Sequence, residues 1–176
     1  MIDIKNMTMP ELASFVCSAL EDKGIEVVLS GGSCVEIYSR GNYTSLDIDL
    51  INRYNDTFFK IKSVMEDLGF KEEGKYFVYK GTSYFIEFPS GPLGVGDAPV
   101  KDIEEITTKY GTLKLLTATD CVKDRLAAYY HWDDEQSLTQ AIWVAQENKV
   151  AIDEIKSWSE QEKCLDKFEI FNSSLK

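Results

Sequence analysis

Apolar positions near the start of the chain fall at helical spacing. Leu12, Phe15, Val16, Ala19 and Leu20 share one face, so the pattern predicts an amphipathic helix. Thr8 stands where a cap belongs, Pro10 lies near the first turn, and Glu11 sits at the positive end of the helix dipole. Gly24, after Lys23, is a natural stop. The period then changes. Residues 25–29 are short-run, β-branched and apolar, a predicted buried strand ending at Ser30-Gly31-Gly32-Ser33, with a second helix expected from about Val35. Over 46–51 apolar and acidic residues alternate, which predicts a strand with Leu46, Ile48 and Leu50 in the core and Asp47 and Asp49 on the other face. A helix over 57–68 stops at Gly69. Residues 77–79 and 84–88 read as an antiparallel pair turning through 80–83, and the glycines and prolines of 89–99 predict an irregular loop. Strand-like 112–116 leads to Thr119-Asp120, a predicted helix cap, and the remainder reads as helices over 122–132, 136–147, 152–158 and 162–171.

This order predicts an α+β (mixed α/β) fold. A small mixed β-sheet flanked by helices occupies 1–115, and a helical C-terminal region, 116–176, packs on it without a flexible linker. With 44% hydrophobic and 28% charged residues in 176, the chain has the material for a core of its own. Its formal charge of -11 argues against a broad nucleic-acid footprint, which needs clustered Lys and Arg, yet is compatible with a local basic pocket or with divalent cations in an acidic surround. No basic-then-apolar leader opens the sequence, and no apolar run reaches the roughly 20 residues a membrane span requires. Cys17, Cys34, Cys121 and Cys164 are scattered, with no CxxC pair, and His131 is the single histidine. Free thiols in a reducing compartment, hence a cytoplasmic protein, is the expectation.

Candidate chemistry centres on Asp47-Ile48-Asp49. Side chains two apart on a strand share a face, so the two carboxylates project together and repel unless a cation lies between them. Hard Mg²⁺ is one remedy; a solvated strand face without metal is the other reading. Gly31-Gly32-Ser33, between a predicted strand and a predicted helix, lets backbone approach a ligand and offers helix N–H groups to phosphate, or is an ordinary turn. Strand, Gly-Gly-Ser, helix, then a strand bearing Asp-x-Asp resembles the nucleotidyltransferase superfamily, which includes DNA polymerase β, antibiotic nucleotidyltransferases and toxin-type relatives. The matching stretch is LSGGSCVEIYSRGNYTSLDIDL, and Glu87 in YFIEF is the match for a third acid on a later strand. FPSGPLGVGDAPV and LTATDCVKDRLAAYYHWDDEQ are also similar to small bacterial members. The resemblance implies a nucleotidyltransferase-like core. Asp47, Asp49 and Glu87 would hold two Mg²⁺ (or Mn²⁺) ions, and Gly31, Gly32 and Ser33 would hold the phosphates of an NTP such as ATP. A nucleoside monophosphate would pass to a hydroxyl on a small molecule, RNA end or protein.

Other residues are open to two readings each. Arg40 and Thr44 would reach phosphate or belong to a surface loop. Lys123, one turn from Asp120 and followed by Asp124 and Arg125, would face a cleft or solvent; relatives of the toxin type carry a Lys and an Arg-Asp pair at a different spacing. His131 reads as a packed or capping side chain. Residues 91–96 lack the Gly-Lys-Ser/Thr ending of a phosphate loop, and Trp132, Trp143 and Trp158 read as packing residues. The chief alternative is a non-catalytic binding protein of the same fold, such as a toxin–antitoxin component, with Val144, Ile152, Ile155 and Trp158 at a protein interface. A metal-dependent hydrolase using the same acids is a third.

Overall fold

The computed structural model describes residues 3–54 and 57–175. Its first helix, α1 (Met9–Glu21), starts at Thr8, whose N–H and hydroxyl both donate to the Glu11 carboxylate at 2.9 and 3.1 Å. That exchange satisfies groups that every helix start leaves orphaned. Strand β1 (Val27–Ser30) follows and is buried throughout. It runs straight into α2 (Gly31–Tyr38), four residues ahead of the helix predicted from Val35. Gly31 makes this possible by adopting φ +64°, a bend that a residue with a Cβ resists.

The strands that follow are β2 (Asp47–Asn52), β3 (Lys71–Glu73), β4 (Tyr76–Val78), β5 (Phe85–Glu87), β6 (Gly94–Val95), β7 (Ala98–Pro99), β8 (Ile103–Thr108) and β9 (Gly111–Leu116). The remaining helices are α3 (Phe58–Asp67), α4 (Ala118–Trp132), α5 (Glu135–Glu147), α6 (Ile152–Gln161) and α7 (Leu165–Ser173). Among the described residues, seven strands form one mixed sheet in the order β3-β4-β5-β2-β1-β9-β8, and β6 and β7 form a separate hairpin. β2 pairs antiparallel with β1 and parallel with β5, placing it at the centre. This is the mixed α+β architecture that the pattern predicts.

Two layers of helix cover the sheet. Ile48, Leu50, Ile86 and Phe77 are fully buried on one face, where α3 packs and Phe58 meets Phe77 at 5.9 Å. α1 lies on that same face, against Gly111 of β9. The other face receives α2, which in turn contacts α4 and α5. All four cysteines are free, and three of them are buried as small apolar groups. No helix among the described residues is long and apolar enough to cross a membrane.

Several expectations are corrected. Leu46, predicted in the core, is 49% exposed because β2 begins one residue later, at Asp47. β3 and β8 were not expected: β3 is exposed at every position, and β8 is an edge strand carrying Glu104 and Glu105, so neither shows clean alternation. The loop predicted over 89–99 contains the β6–β7 hairpin. α4 is capped by Thr117, which accepts from Asp120 N–H at 3.1 Å, while Thr119 serves Ala151 instead. No helix starts at Glu162, since Lys163 has φ +59° and α7 begins only at Leu165. Val144, Ile155 and Trp158 are core residues and Ile152 packs against them, so they form no exposed interface; Trp132, by contrast, is 76% exposed rather than packed.

Candidate functional site

The centre of the sheet carries a row of polar groups on the α2 face. Strand alternation sends Ile48 and Leu50 into the core and therefore sends Asp47 and Asp49 the other way. Register then selects their neighbours. Asp49 lies opposite Ser30 of β1 on one side and opposite Glu87 of β5 on the other, while Glu87 lies opposite Tyr76 of β4. Ser30, Asp49, Glu87 and Tyr76 thus form one line across four strands, with Asp47 two residues along on the same face. Phe85, opposite Asp47, sets its ring tilted against that of Tyr76, with centroids 5.7 Å apart, and edges the row with aromatic surface.

Gly31 sits directly against this row. A Cβ added to it would stand 2.3 Å from Asp49 Oδ2, so only glycine lets the start of α2 approach that carboxylate. The helix N-terminus brings unpaired N–H groups and partial positive charge to the same place. Gly32 has a different neighbour: its missing Cβ leaves room for Ser45 Oγ at 3.1 Å and for the Tyr43 ring. Ser33 is fully buried and donates its hydroxyl to the Asp47 carbonyl oxygen. Its side chain is engaged with the strand, so the groups this turn still offers to a ligand are its backbone N–H groups.

Like charges dominate the electrostatics. Burial pushes the Asp49 carboxyl up to about 6, with Glu87 and Asp47 adding to the rise and the Arg125 guanidinium opposing it. Arg125 is held by Asp124, at 2.6 Å from Nη2 and 3.1 Å from Nε, and reaches Gln140 at 3.5 Å. From α4 its positive charge lowers the Asp49 carboxyl while the neighbouring Asp124 raises it. One Glu87 oxygen is bound by Lys75 at 2.8 Å. Among the described residues, no three His, Cys, Asp or Glu side chains already stand gathered about a single point. The donor set nonetheless suits a hard divalent cation: every side-chain ligand is a carboxylate, and the like charges that raise Asp49 are those a cation would relieve.

The other candidates lie elsewhere. Arg40, in a left-handed conformation at φ +51°, is exposed and pairs with Glu147 at 3.8 Å, and Thr44 is exposed in the same loop. Lys123 is buried and bonds Asp120 at 3.2 Å and Glu154 at 2.5 Å. It lines a cleft of about 360 Å³ with Pro99, Asp120, Glu154 and Trp158, and none of the three acids of the row takes part in that cleft. Lys123 and Arg125 are two apart on a helix and so point to nearly opposite sides. Sequence spacing names both; only packing tells which side meets the acids. His131 pairs with Glu162 at 2.8 Å, beside the backbone N–H of Asp97 on the same carboxylate, a structural link between α4 and the β6–β7 hairpin.

No protein-family model and no curated protein matches the chain. Among solved structures it is similar to a solution structure of the antibiotic-resistance factor ANT(2'')-Ia, at 13% identity over 92% of this chain and 91% of that one, with a TM-score of 0.47. It is also similar to a crystal structure of ANT(2'')-Ia in complex with adenylyl-2''-tobramycin, at 12% identity over 91% and 92% of the two chains, with a TM-score of 0.49.

Proposed function

We propose that the protein is a metal-dependent nucleotidyltransferase, which transfers a nucleoside monophosphate from an NTP to an acceptor hydroxyl. The observation that carries this reading is the register of β1, β2 and β5, which sets Asp49 between the Ser30–Gly31 turn and Glu87. A carboxylate that is costly to keep ionised, beside a glycine turn at a helix N-terminus, is an arrangement that favours a bound cation and phosphate over a merely structural role.

Asp47, Asp49 and Glu87 would hold Mg²⁺ or Mn²⁺, which when bound supplies positive charge to phosphate oxygens. The residues of the chain do the rest. Backbone N–H groups at the start of α2 bind the departing end of the triphosphate, and Gly31 keeps that approach clear. The acceptor oxygen forms a bond to the α-phosphorus as the bond to the pyrophosphate oxygen breaks, and the acceptor proton passes to Glu87. The Arg125 guanidinium, braced by Asp124 and Gln140, offsets part of the negative charge around Asp49. The products are the nucleotidylated acceptor, pyrophosphate and a proton.

Incubating the protein with each α-³²P-labelled NTP, Mg²⁺ and a panel of hydroxyl acceptors tests this. Label moving to an acceptor with pyrophosphate release is the expected result, lost in Asp49→Asn. Labelled free monophosphate without an acceptor product would instead identify a hydrolase. Transfer that persists undiminished in Asp49→Asn would overturn the proposal. A second reading, a nucleotide-binding protein of this fold without turnover, is favoured by the Lys75–Glu87 ion pair, which occupies one oxygen of the third acid. It is distinguished by tight NTP binding with no product of any kind.

A further inference from the structure

The backbone of Asp47 poses a bonding problem. β1 ends at Ser30, whose register partner is Asp49, so Asp47 runs two residues past the end of that neighbour. Its carbonyl direction follows from the bonds around it. The Leu46 carbonyl accepts from Phe85 N–H at 2.9 Å on the β5 side, and Arg53 N–H donates to the Glu26 carbonyl at 2.9 Å on the β1 side. Backbone groups along a strand alternate between the two sides, so Asp47 faces β1. The chain there has already turned into α2, so no β1 backbone N–H is left to meet the Asp47 carbonyl at the edge of the sheet.

Two hydroxyls fill the gap. Ser33 Oγ donates to the Asp47 carbonyl from the first turn of α2, and Ser45 Oγ donates to the same oxygen at 2.9 Å from the loop before β2. Both serines are buried while Asp47 itself is exposed, so the pair replaces the missing strand partner from the protein side of the sheet. Ser45 is held in turn: its backbone N–H donates to Glu36 Oε2 at 2.7 Å. Ser33 and Glu36 are three residues apart on α2 and so lie on neighbouring positions of one helix face. The absent side chain of Gly32 admits the loop to that face.

We infer that Glu36 is a positioning residue for the acid row, fixing Ser45 and through it the place of Asp47 against α2. The inference rests on the reading of Asp47, Asp49 and Glu87 as a divalent-cation site, and it adds a side chain that does not itself touch the cation. Glu36 stands outside the apolar core, so its removal acts on the loop rather than on the packing. Outer supports of this kind set the precision with which ligands are held, and their loss commonly weakens metal binding about tenfold or more.

The test uses the full chain as Glu36→Ala and Glu36→Gln, with two readouts: hydrogen exchange of the Ser45 amide in metal-free protein by NMR, and Mn²⁺ affinity by electron paramagnetic resonance. Glu36→Ala is expected to speed Ser45 exchange and to weaken Mn²⁺ binding about tenfold. Glu36→Gln, whose amide oxygen still accepts the Ser45 N–H, is expected to keep both near wild type. That rescue separates positioning from a general loss of charge. If Glu36→Ala unfolds, Ser45→Ala, which removes only the hydroxyl donation, carries the same expectation of weakened Mn²⁺. Unchanged affinity in a folded Glu36→Ala or Ser45→Ala, with Asp47→Asn still losing Mn²⁺, overturns the inference alone. A wild-type protein that binds no Mn²⁺ overturns the acid-row reading and the inference with it.

Discussion

Asp49 and Lys123 are both ionisable groups with little access to water, yet they keep opposite company. Lys123 is bracketed by Asp120 and Glu154, so its charge is met by partners within the cleft between α4, α6 and β7. Asp49 has Glu87 and Asp47 beside it, and Arg125, the cation whose field bears on it, is already committed to Asp124. One cluster is closed electrostatically and the other is open. A balanced cluster contributes to holding helices together; an unbalanced one costs stability and is retained where something outside the chain completes it. On this difference rests the proposal that Lys123 serves structure and the acid row serves chemistry.

Substitutions that neutralise the open cluster give the largest effects. Asp49→Asn is expected to lower the transfer rate roughly a thousandfold, in the range seen when a group that stabilises transition-state charge is removed. The same change is expected to raise stability at pH 7 by on the order of 2 kcal/mol, since the folded carboxyl titrates near 6 against an ordinary value of 3.8. The sign follows from proton binding. Between those two values the folded state holds more protons than the unfolded one, so this group's contribution to stability falls as pH rises through 4 to 6 and stays low above. Thermal denaturation of both proteins across that range checks it: wild type loses stability relative to Asp49→Asn as pH rises. A parallel profile would remove the contrast.

Gly31→Ala probes the steric side of the same site. A residue with a Cβ at φ +64°, overlapping Asp49 Oδ2, is expected to cost roughly 3 kcal/mol and to displace the carboxylate. Denaturant unfolding measures the loss. The closed cluster should respond differently: Lys123→Met is expected to destabilise by about 2 kcal/mol, discounted because Glu154 remains largely in water, with NTP affinity unchanged. A fall in NTP affinity there would join the two regions into one site. The smallest effect is expected from Lys75→Ala. The lysine is exposed, so stability should be essentially unchanged, while Mn²⁺ affinity rises about threefold as Glu87 is released.

The sequence is legible where one residue decides its own environment. Alternation around Ile48 and Leu50 marks β2 and sends Asp47 and Asp49 to a common face before any neighbour is known. The helix stops at Gly24 and Gly69 and the cap at Thr8 are equally local. What depends on a partner strand or helix is not readable in this way. The Ser33 hydroxyl looks free to meet phosphate until β1 is seen to end early and to leave the Asp47 carbonyl needing a donor. Lys123 and Arg125 are adjacent in spacing and opposite in space, and the packing of α4 chooses between them. β3 and β8 escape notice because edge strands carry charges where interior strands carry alternation. Glu87 is intermediate: its strand is readable, but its register opposite Asp49 is set by the whole sheet.

The proposal that Asp47, Asp49 and Glu87 share a cation is tested most directly by titrating the Asp49 carboxyl carbon by NMR, first in metal-free protein and then in excess Mg²⁺. A midpoint near 6 that falls by more than about one unit when the cation is added is the expected result. A midpoint near 3.8, indifferent to Mg²⁺, would mean that the three acids do not share a site.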